Sequence, residues 1–375
     1  MSKQGKEPLI PMVDLKREYV VLKPHLLKGI MDVLNSGHYI LGEKGRLLEA
    51  QIAEYVGASY ASGVANGTDA LYLALKALDI GPGDEVITTP FTFFATGEVI
   101  AQVGATPVFA DIEKDSYNLD PEEVAKKVTD QTKAILVVHL FGQAANMNAL
   151  RAIADEHKLY IVEDACQAIG TEWKRQRVGA LGDVGCFSFF PSKSLGAFGD
   201  AGMVVTNSEA IHQKLTELRN HGSTSKYRHA SIGQNSRLDE IQAAVLLAKL
   251  KFLDLFLLKR NGIAKRYTRG LDDSIKKPSI NKTRSHTFHQ YCIEFDDRDA
   301  VADYLDEQGI ASAVYYPVPL HLQEAFAYLG LKKGDFPNAE TAADRILALP
   351  ISPELSIEEQ ELIIAHINHF IDTNR

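Results

Sequence analysis

Residues 133–165 read KAILVVHLFGQAANMNALRAIADEHKLYIVEDA, and the order of apolar and polar positions in this stretch decides the fold. Two nearly continuous apolar runs, KAILVVHLFG and LYIVEDA, flank the segment MNALRAIADEH, whose apolar residues recur with the period of a helix. A strand without polar alternation is typical of a parallel sheet that helices cover on both faces. The stretch therefore predicts a strand–helix–strand unit of such a sheet.

The same alternation extends from about residue 60 to residue 206. Further apolar runs predict the strands SYASGVAN, DEVITTPF, TPVFADI, VGCFSFF and GMVVTN, and TDALYLALKAL predicts one of the helices between them. Beyond these runs, LDEIQAAVLLAKLKFLDLFLLKRNGIAKRYTRGL predicts one long helix, and HTFHQYCIEF, DAVADYLDEQG and IASAVYYPV predict strand–helix–strand. We therefore predict a large α/β domain with a mostly parallel sheet over residues 1–255, and a smaller α+β domain over residues 256–375.

The composition excludes several classes of protein. The 375 residues carry a formal net charge of −9, which argues against a nucleic-acid partner. No apolar run approaches the roughly 20 residues that span a bilayer, and the N-terminal residues lack the apolar core of a signal peptide. Cys166, Cys186 and Cys292 form no C-x-x-C pair, which predicts a reducing cytoplasmic location and no metal site.

One lysine, Lys193, stands between the apolar run GCFSFF and the small-residue run LGAFGDAG. PSKS resembles the end of a nucleotide-binding P-loop, but Phe187 and Ser192 occupy the positions where that loop requires glycine. Lys193 is then either a surface lysine or a buried amine. Its apolar flanks favour burial, which lowers the pKa of an amine and makes it nucleophilic.

A second segment, VANGTDALYLALKAL, places Gly67 and Thr68 where a strand ends and a helix begins at Thr68 or Asp69. The free N–H groups of a first helical turn can bind a phosphate, and glycine permits close approach. The alternative is an ordinary helix start with Thr68 as the N-cap.

Two more strand ends carry side chains that could bind a ligand. Glu163 and Asp164 end the strand LYIVEDA, where an open α/β sheet binds its ligands, and one of the two carboxylates is expected to face a crevice. A carboxylate there could bind a metal, act as a base or pair with a ring nitrogen, and a solvated strand end is the alternative. PFTFFATGEVI offers aromatic rings for stacking, with core packing as the alternative. In SIGQNSRLDEIQAAVL, residues such as Asn235 and Arg237 precede a helix and form either a cap or an anion-binding loop.

A lysine, a strand-end carboxylate, a stacking ring and a phosphate cradle are together what pyridoxal phosphate requires. The ordered segments NGTDAL, FTFFAT, EDACQAIG, FSFFPSKSLGAFGDAG, GQNSRLDEIQAA and YYPVPLHLQ resemble the DegT/StrS family of nucleotide-sugar aminotransferases, from about residue 14 to the C-terminus. This resemblance implies the fold of type I pyridoxal phosphate enzymes. It also implies glutamate as the amino donor, pyridoxamine phosphate as the intermediate cofactor form, and a homodimer with shared active sites.

The resemblance also implies roles for individual residues. Lys193 would bind the cofactor aldehyde as an imine and then move the proton, and Asp164 would pair with the pyridinium nitrogen. The remaining cofactor contacts would come from Gly67, Thr68 and Ser188 on the phosphate, Phe93 on the ring, Gln167 on the phenolic oxygen, and Asn235 from the neighbouring subunit. Arg237, Tyr316 and His321 would lie towards the sugar nucleotide.

The run LGAFGDAG is closer to family members that act on 3-keto sugars than to those that act on 4-keto sugars. We therefore expect amination at C3 of a UDP- or dTDP-linked 3-keto hexose, with a 3-keto uronic acid as one candidate. Tyr315 departs from the histidine that some uronate enzymes carry there. The alternatives are a 4-aminotransferase and a non-catalytic, cofactor-binding regulator. A dinucleotide-dependent oxidoreductase is disfavoured, because no G-x-G-x-x-G follows a predicted strand.

Overall fold

The computed structural model describes residues 9–280 and 282–373. Residues 1–8, 281, 374 and 375 lie outside the described residues. The signal-peptide prediction partly rests on residues 1–8, and both predicted domains include some of these positions. No helix in the described ranges has the length and apolar character that crossing a membrane requires.

Helices hold more of the described residues than strands do. In chain order they are α1 (Leu15–Ser36), α2 (Glu43–Val56), α3 (Gly67–Ala77), α4 (Ala95–Gln102), α5 (Pro121–Ala125), α6 (Met147–His157), α7 (Glu209–Leu218), α8 (Glu240–Leu250), α9 (Leu253–Gly270), α10 (Arg298–Glu307), α11 (Pro337–Arg345) and α12 (Ile357–Thr373). Short 3₁₀ segments occur at Leu140–Gly142, Leu320–Leu322 and Glu324–Leu329. The helix predicted from MNALRAIADEH is α6.

Strands are short and concentrate in the first two thirds of the chain. They are β1 (Tyr60–Val64), β2 (Glu85–Thr88), β3 (Thr106–Phe109), β4 (Thr132–Val138), β5 (Tyr160–Asp164), β6 (Glu172–Trp173), β7 (Gln176–Arg177), β8 (Val184–Ser188), β9 (Gly202–Thr206), β10 (Ser223–Ser225), β11 (Arg228–His229), β12 (Tyr291–Glu294) and β13 (Ile346–Leu349).

The central sheet has seven strands in the order β1-β9-β8-β5-β4-β2-β3. Only β9 runs antiparallel to its two neighbours, β1 and β8, and the pairs from β8 to β3 are parallel. These seven strands are the ones predicted from the apolar runs. The prediction of an α/β fold with a mostly parallel sheet is confirmed.

The strand β4 shows why apolar runs rather than alternating ones form this sheet. Ala134, Leu136 and Val138 belong to an apolar cluster that also includes residues of α3 and α4. Ile135 and Val137 belong to a second cluster, on the other face, with residues of α2, α6 and α8. Because helices cover both faces, every position of the strand except Lys133 near its start is buried.

The C-terminal part of the chain differs from the strand–helix–strand prediction. IASAVYYPV forms no strand, and its backbone makes only single bridges, Ile310 to Ile10 and Ala313 to Ala348. The antiparallel partner of β12 is instead β13, which lies after α11. The apolar run of β13 is only four residues long, and a run of that length does not distinguish a strand from the end of a helix. A third apolar cluster gathers residues of α9, β12, α10, β13 and α12.

The long helix predicted from LDEIQAAVLLAKLKFLDLFLLKRNGIAKRYTRGL is two helices, α8 and α9, which meet at Lys251 and Phe252. Every residue of α8 from Ala243 to Lys249 is buried, whereas α9 has exposed polar residues such as Asp254 and Lys259. Without glycine or proline at the junction, the sequence carried no signal for the break. The predicted domain boundary between residues 255 and 256 falls inside α9 and stays a prediction.

Candidate active site

The strand β5 ends in two carboxylates that face different surroundings. The Glu163 side chain accepts hydrogen bonds from His139 Nε2 at 2.8 Å and from the backbone N–H of Gly179 and Leu181 at 2.7 and 2.8 Å. Glu163 is therefore a structural group that holds a buried turn. Asp164, one residue later, points to the other face of the sheet and lines a cavity.

Both carboxylate oxygens of Asp164 are held in place. Thr96 Oγ1 donates to Oδ2 at 2.9 Å, and the backbone N–H of Cys166 donates to Oδ1 at 3.2 Å. Thr96 Oγ1 lies 3.1 Å from Thr92 Oγ1, which extends the network by one hydroxyl. Asp164 is only 6% exposed, so it is a nearly buried carboxylate that still lines an open site.

Lys193 lies in the turn between β8 and β9, where its backbone N–H donates to the carbonyl of Phe190 at 2.8 Å. Its side chain lines the same cavity as Asp164. Burial lowers the pKa of the Lys193 amine, and the nearby Cys166 and Asp164 oppose that shift. Of the two sequence hypotheses for this residue, the geometry favours the amine in a desolvated pocket, where it is a better nucleophile.

The start of α3 forms the opposite wall of the cavity. Its N-cap is Asn66, whose Oδ1 accepts from Asp69 N at 2.8 Å, so the alternative that made Thr68 the N-cap is wrong. Gly67 and Thr68 occupy the first turn and line the cavity together with Ser188. A Cβ on Gly67 would lie 2.6 Å from Ser188 Cβ, so only glycine lets these two segments come so close.

A polar and aromatic wall completes the cavity. Gln167 Nε2 donates to the Tyr316 hydroxyl at 2.9 Å, and the backbone N–H of Phe141 donates to Gln167 Oε1 at 2.8 Å. Burial raises the pKa of the Tyr316 hydroxyl. The ring of Phe93 is 57% exposed and lies 6.3 Å from the Tyr316 ring, whereas Phe91 is fully buried in the core.

The cavity has a volume of about 780 Å³, which is within the range of sites that enclose a cofactor and a substrate. Eight of the predicted site residues line it, namely Gly67, Thr68, Phe93, Asp164, Gln167, Ser188, Lys193 and Tyr316. They come from distant parts of the chain, which only the fold brings together.

Three predicted site residues do not line this cavity. Asn235 is exposed and bridges to Asn220 by its backbone. Arg237 Nη1 donates to Asn220 Oδ1 at 3.1 Å. His321 is 2% exposed, and its Nε2 lies 3.1 Å from Glu340 Oε1 beneath the surface. Their predicted ligand contacts stay predictions.

Sequence reasoning missed other groups at the site. Thr96 bonds to Asp164, and His289, Gln290 and Asp200 line the cavity. Burial lowers the pKa of His289, and the charges of Lys193 and Arg260 add to this effect, so the imidazole is neutral. HTFHQYCIEF predicts only a strand, because nothing in its pattern marks one histidine as facing a ligand.

The residues present fit pyridoxal phosphate. The close contact between Gly67 and Ser188 places the Ser188 hydroxyl beside the first turn of α3, whose N–H groups have no carbonyl partner within the helix and can bind a phosphate. A desolvated amine, Lys193, and a nearly buried carboxylate, Asp164, line the same cavity. These are the groups that the cofactor's aldehyde and ring nitrogen would require.

Comparison with known proteins agrees with this chemistry. The model of the DegT/DnrJ/EryC1/StrS aminotransferase family matches residues 22–368. A protein of Acidithiobacillus ferrooxidans named UDP-N-acetyl-3-dehydro-α-D-glucosamine 3-aminotransferase is 47% identical over 96% of this chain and 96% of its own length. A protein of Geobacillus stearothermophilus named pleiotropic regulatory protein is 48% identical over 96% of this chain and 98% of its own length.

Solved structures with the same fold include enzyme complexes. DesV of Streptomyces venezuelae in complex with a ketimine intermediate superposes with a TM-score of 0.95, at 42% identity, over 97% of this chain and 98% of that one. NtdA of Bacillus subtilis with bound pyridoxamine phosphate has a TM-score of 0.90 at 30% identity, over 99% of this chain and 87% of that one. The fold is that of the type I aminotransferases, and pyridoxal phosphate is the cofactor of this group of proteins. With its matching sequence, fold and site, the chain belongs to the DegT/DnrJ/EryC1/StrS aminotransferase family.

Proposed function

We propose that this protein transfers an amino group from glutamate to C3 of a nucleotide-linked 3-keto sugar. The observation that carries the proposal is the placement of Lys193 and Asp164 in one cavity beside the Gly67 cradle. The 47% identity to a protein named as a UDP-sugar 3-aminotransferase and the run LGAFGDAG both support position 3 rather than position 4.

Pyridoxal phosphate, when bound, supplies an aldehyde that takes up amino groups and a ring that accepts electrons. We assign the phosphate to the N–H groups of Gly67 and Thr68 and to the Ser188 hydroxyl. Asp164 would hold a proton on the ring nitrogen through its ionised carboxylate. Gln167, fixed by Tyr316 and the Phe141 N–H, would orient the ring edge.

Lys193 would bind the cofactor covalently and then act as the base and acid at the reacting carbon. Its lowered pKa makes the neutral amine available at a lower pH than for an ordinary lysine. A neutral amine at Nζ can accept a proton from one carbon and return it to the next, which is general acid–base catalysis. Phe93 would cover one face of the ring.

The charge of the sugar is proposed to depend on the neighbouring subunit. A uronate carboxylate would require a cation, and Lys193 is the one lysine or arginine among the described residues that line this chain's own cavity. Arg237 does not line that cavity, whereas Tyr315 does. An uncharged hexose needs no further cation, whereas a uronate would have to meet the partner subunit's Arg237, which follows Asn235 by two residues.

The purified protein with glutamate is expected to aminate UDP- or dTDP-linked 3-keto sugars and to release 2-oxoglutarate. The test is a panel of UDP- and dTDP-linked 3-keto and 4-keto sugars, with a 3-keto uronic acid included, in which 2-oxoglutarate is measured. Turnover of the 4-keto sugars alone would contradict amination at C3. Binding of pyridoxal phosphate without turnover of any keto sugar would favour the regulatory alternative, which the name of the Geobacillus relative raises.

A homodimer with shared sites is proposed from large apolar side chains that this chain exposes. Phe93 at 57%, Tyr227 at 86% and Ile232 at 92% exposure are large apolar side chains that a second subunit would cover. Asn235 is exposed on the same segment as Ile232 and does not line the cavity of its own chain. We therefore assign Asn235 to the phosphate of the neighbouring subunit. We also place the enzyme in the cytoplasm, where its three free cysteines would remain reduced.

Mixing Lys193→Ala and Asn235→Ala subunits is expected to restore activity that neither variant has alone. In a hybrid dimer, one of the two sites combines an intact Lys193 with an intact Asn235, so random exchange returns about a quarter of the wild-type sites. The measurement is activity after subunit exchange that mass spectrometry has verified. No recovery in verified hybrids would show that Asn235 serves its own subunit or no site.

A further inference from the structure

Thr96 is a buried hydroxyl that bonds to the proposed catalytic carboxylate without lining the cavity. It lies in the first turn of α4 and is fully buried. Its Oγ1 donates to Asp164 Oδ2 at 2.9 Å. Thr96 is absent from the cavity wall, so its influence on a ligand passes through its two side-chain partners, Asp164 and Thr92, which both line the cavity.

The direction of this hydrogen bond sets the direction of the next one. An ionised carboxylate only accepts hydrogen bonds, so Thr96 must donate its proton to Asp164. The Thr96 oxygen can then accept from Thr92, whose Oγ1 is 3.1 Å away. The result is a directed chain from Thr92 to Thr96 to Asp164, while the Cys166 N–H fixes the second carboxylate oxygen.

Thr96 behaves differently from other helical threonines of this chain. The usual partner of a threonine hydroxyl in a helix is the carbonyl one turn earlier. Several helical threonines of this chain donate their hydroxyl to the carbonyl four residues earlier, namely Thr216, Thr268, Thr341 and Thr373. The Thr96 hydroxyl instead donates to Asp164, which lies 68 residues away in the sequence.

We propose that Thr96 is a positioning residue of the amino-transfer site. This inference rests on the proposed function. Thr96 fixes the plane of the Asp164 carboxylate and supports its negative charge. Asp164 would then meet the ring nitrogen of pyridoxal phosphate in one orientation. A hydrogen bond to a charged group is stronger than one between neutral groups, and Asp164 is nearly buried, which strengthens the effect further.

The variant Thr96→Val removes the hydroxyl and keeps the shape of the side chain. We expect its apoprotein to bind pyridoxal phosphate about tenfold or more weakly, because a hydrogen bond to a charged group is lost. The kcat should fall while the KM for the keto sugar stays unchanged. Thr96→Ser restores the donor and should recover both the affinity and the kcat.

Thr92→Val is the matched comparison, because it removes the hydroxyl of this network that lines the cavity and leaves the bond between Thr96 and Asp164. Its loss of cofactor affinity should be smaller than that of Thr96→Val. Thermal unfolding of the apoproteins shows whether each variant folds. If Thr96→Val does not fold, the same comparison is made with Thr96→Ala and Thr92→Ala.

The outcomes separate this inference from the proposed function. If Thr96→Val binds pyridoxal phosphate as the wild type does while Asp164→Asn loses activity, the positioning role is wrong and the proposed function stands. If Thr96→Ser is as impaired as Thr96→Val, the hydroxyl is not the relevant group and the inference is overturned. If the wild-type protein neither binds the cofactor nor aminates any sugar, the proposed function fails instead.

Discussion

Lys193→Ala protein is expected to lose about 100-fold to 10,000-fold of its amino-transfer rate, the range that a positioned acid–base group contributes. The loss follows from the position of Lys193, whose side chain lines the cavity with Asp164 and has a pKa lowered by burial. No other lysine among the described cavity residues can replace the amine. The measurement is the steady-state rate of 2-oxoglutarate release with the best keto sugar of the panel.

An exposed lysine provides the control for this substitution. Lys133 lies at the start of β4 with its side chain in solvent. Lys133→Ala removes the same charge far from any ligand, so its rate should match that of the wild type. A Lys193→Ala rate close to that of Lys133→Ala would contradict the catalytic role of Lys193.

Asp164→Asn is expected to lower the kcat by about 100-fold to 1,000-fold, as the removal of a preorganised electrostatic group does. An amide keeps the size of the carboxylate, but it has no charge to hold a proton on the ring nitrogen. The variant should also bind pyridoxal phosphate more weakly. Both values are measured on the same preparation, by kinetics and by titration of the apoprotein.

Asp200 allows a comparison within the same cavity. It also lines the wall, but it is exposed and lies in the segment after Lys193. Asp200→Asn removes one negative charge from the cavity without touching Asp164, and it should keep its cofactor affinity. Equal losses for the two variants would mean that the overall charge of the cavity matters, and not a specific contact by Asp164.

The central sheet could be predicted because its strands carry their own signal. The apolar run of β4 divides between two clusters on opposite faces, so a buried parallel strand is visible in sequence alone. The break between α8 and α9 was missed, because neither glycine nor proline marks it. The strand β13 was missed because four apolar residues do not distinguish a strand from a helix.

The residues of the site were also only partly predictable from the sequence. The apolar flanks of Lys193 favoured its burial, and the strand end at Glu163 and Asp164 indicated a carboxylate in the crevice, but the choice of Asp164 came from the family resemblance. Thr96 and His289 were missed because a threonine in a helix and a histidine near a strand are common. Their importance depends on contacts between segments far apart in the chain, such as the bond from Thr96 to Asp164.

Covalent binding of the cofactor by Lys193 can be measured directly. The wild-type protein is incubated with pyridoxal phosphate, reduced with borohydride, digested and analysed by mass spectrometry. We expect loss of the visible absorbance band and one modified peptide, with the cofactor mass on Lys193. Cofactor on a different lysine, or a modified peptide that persists in the Lys193→Ala protein, would contradict it.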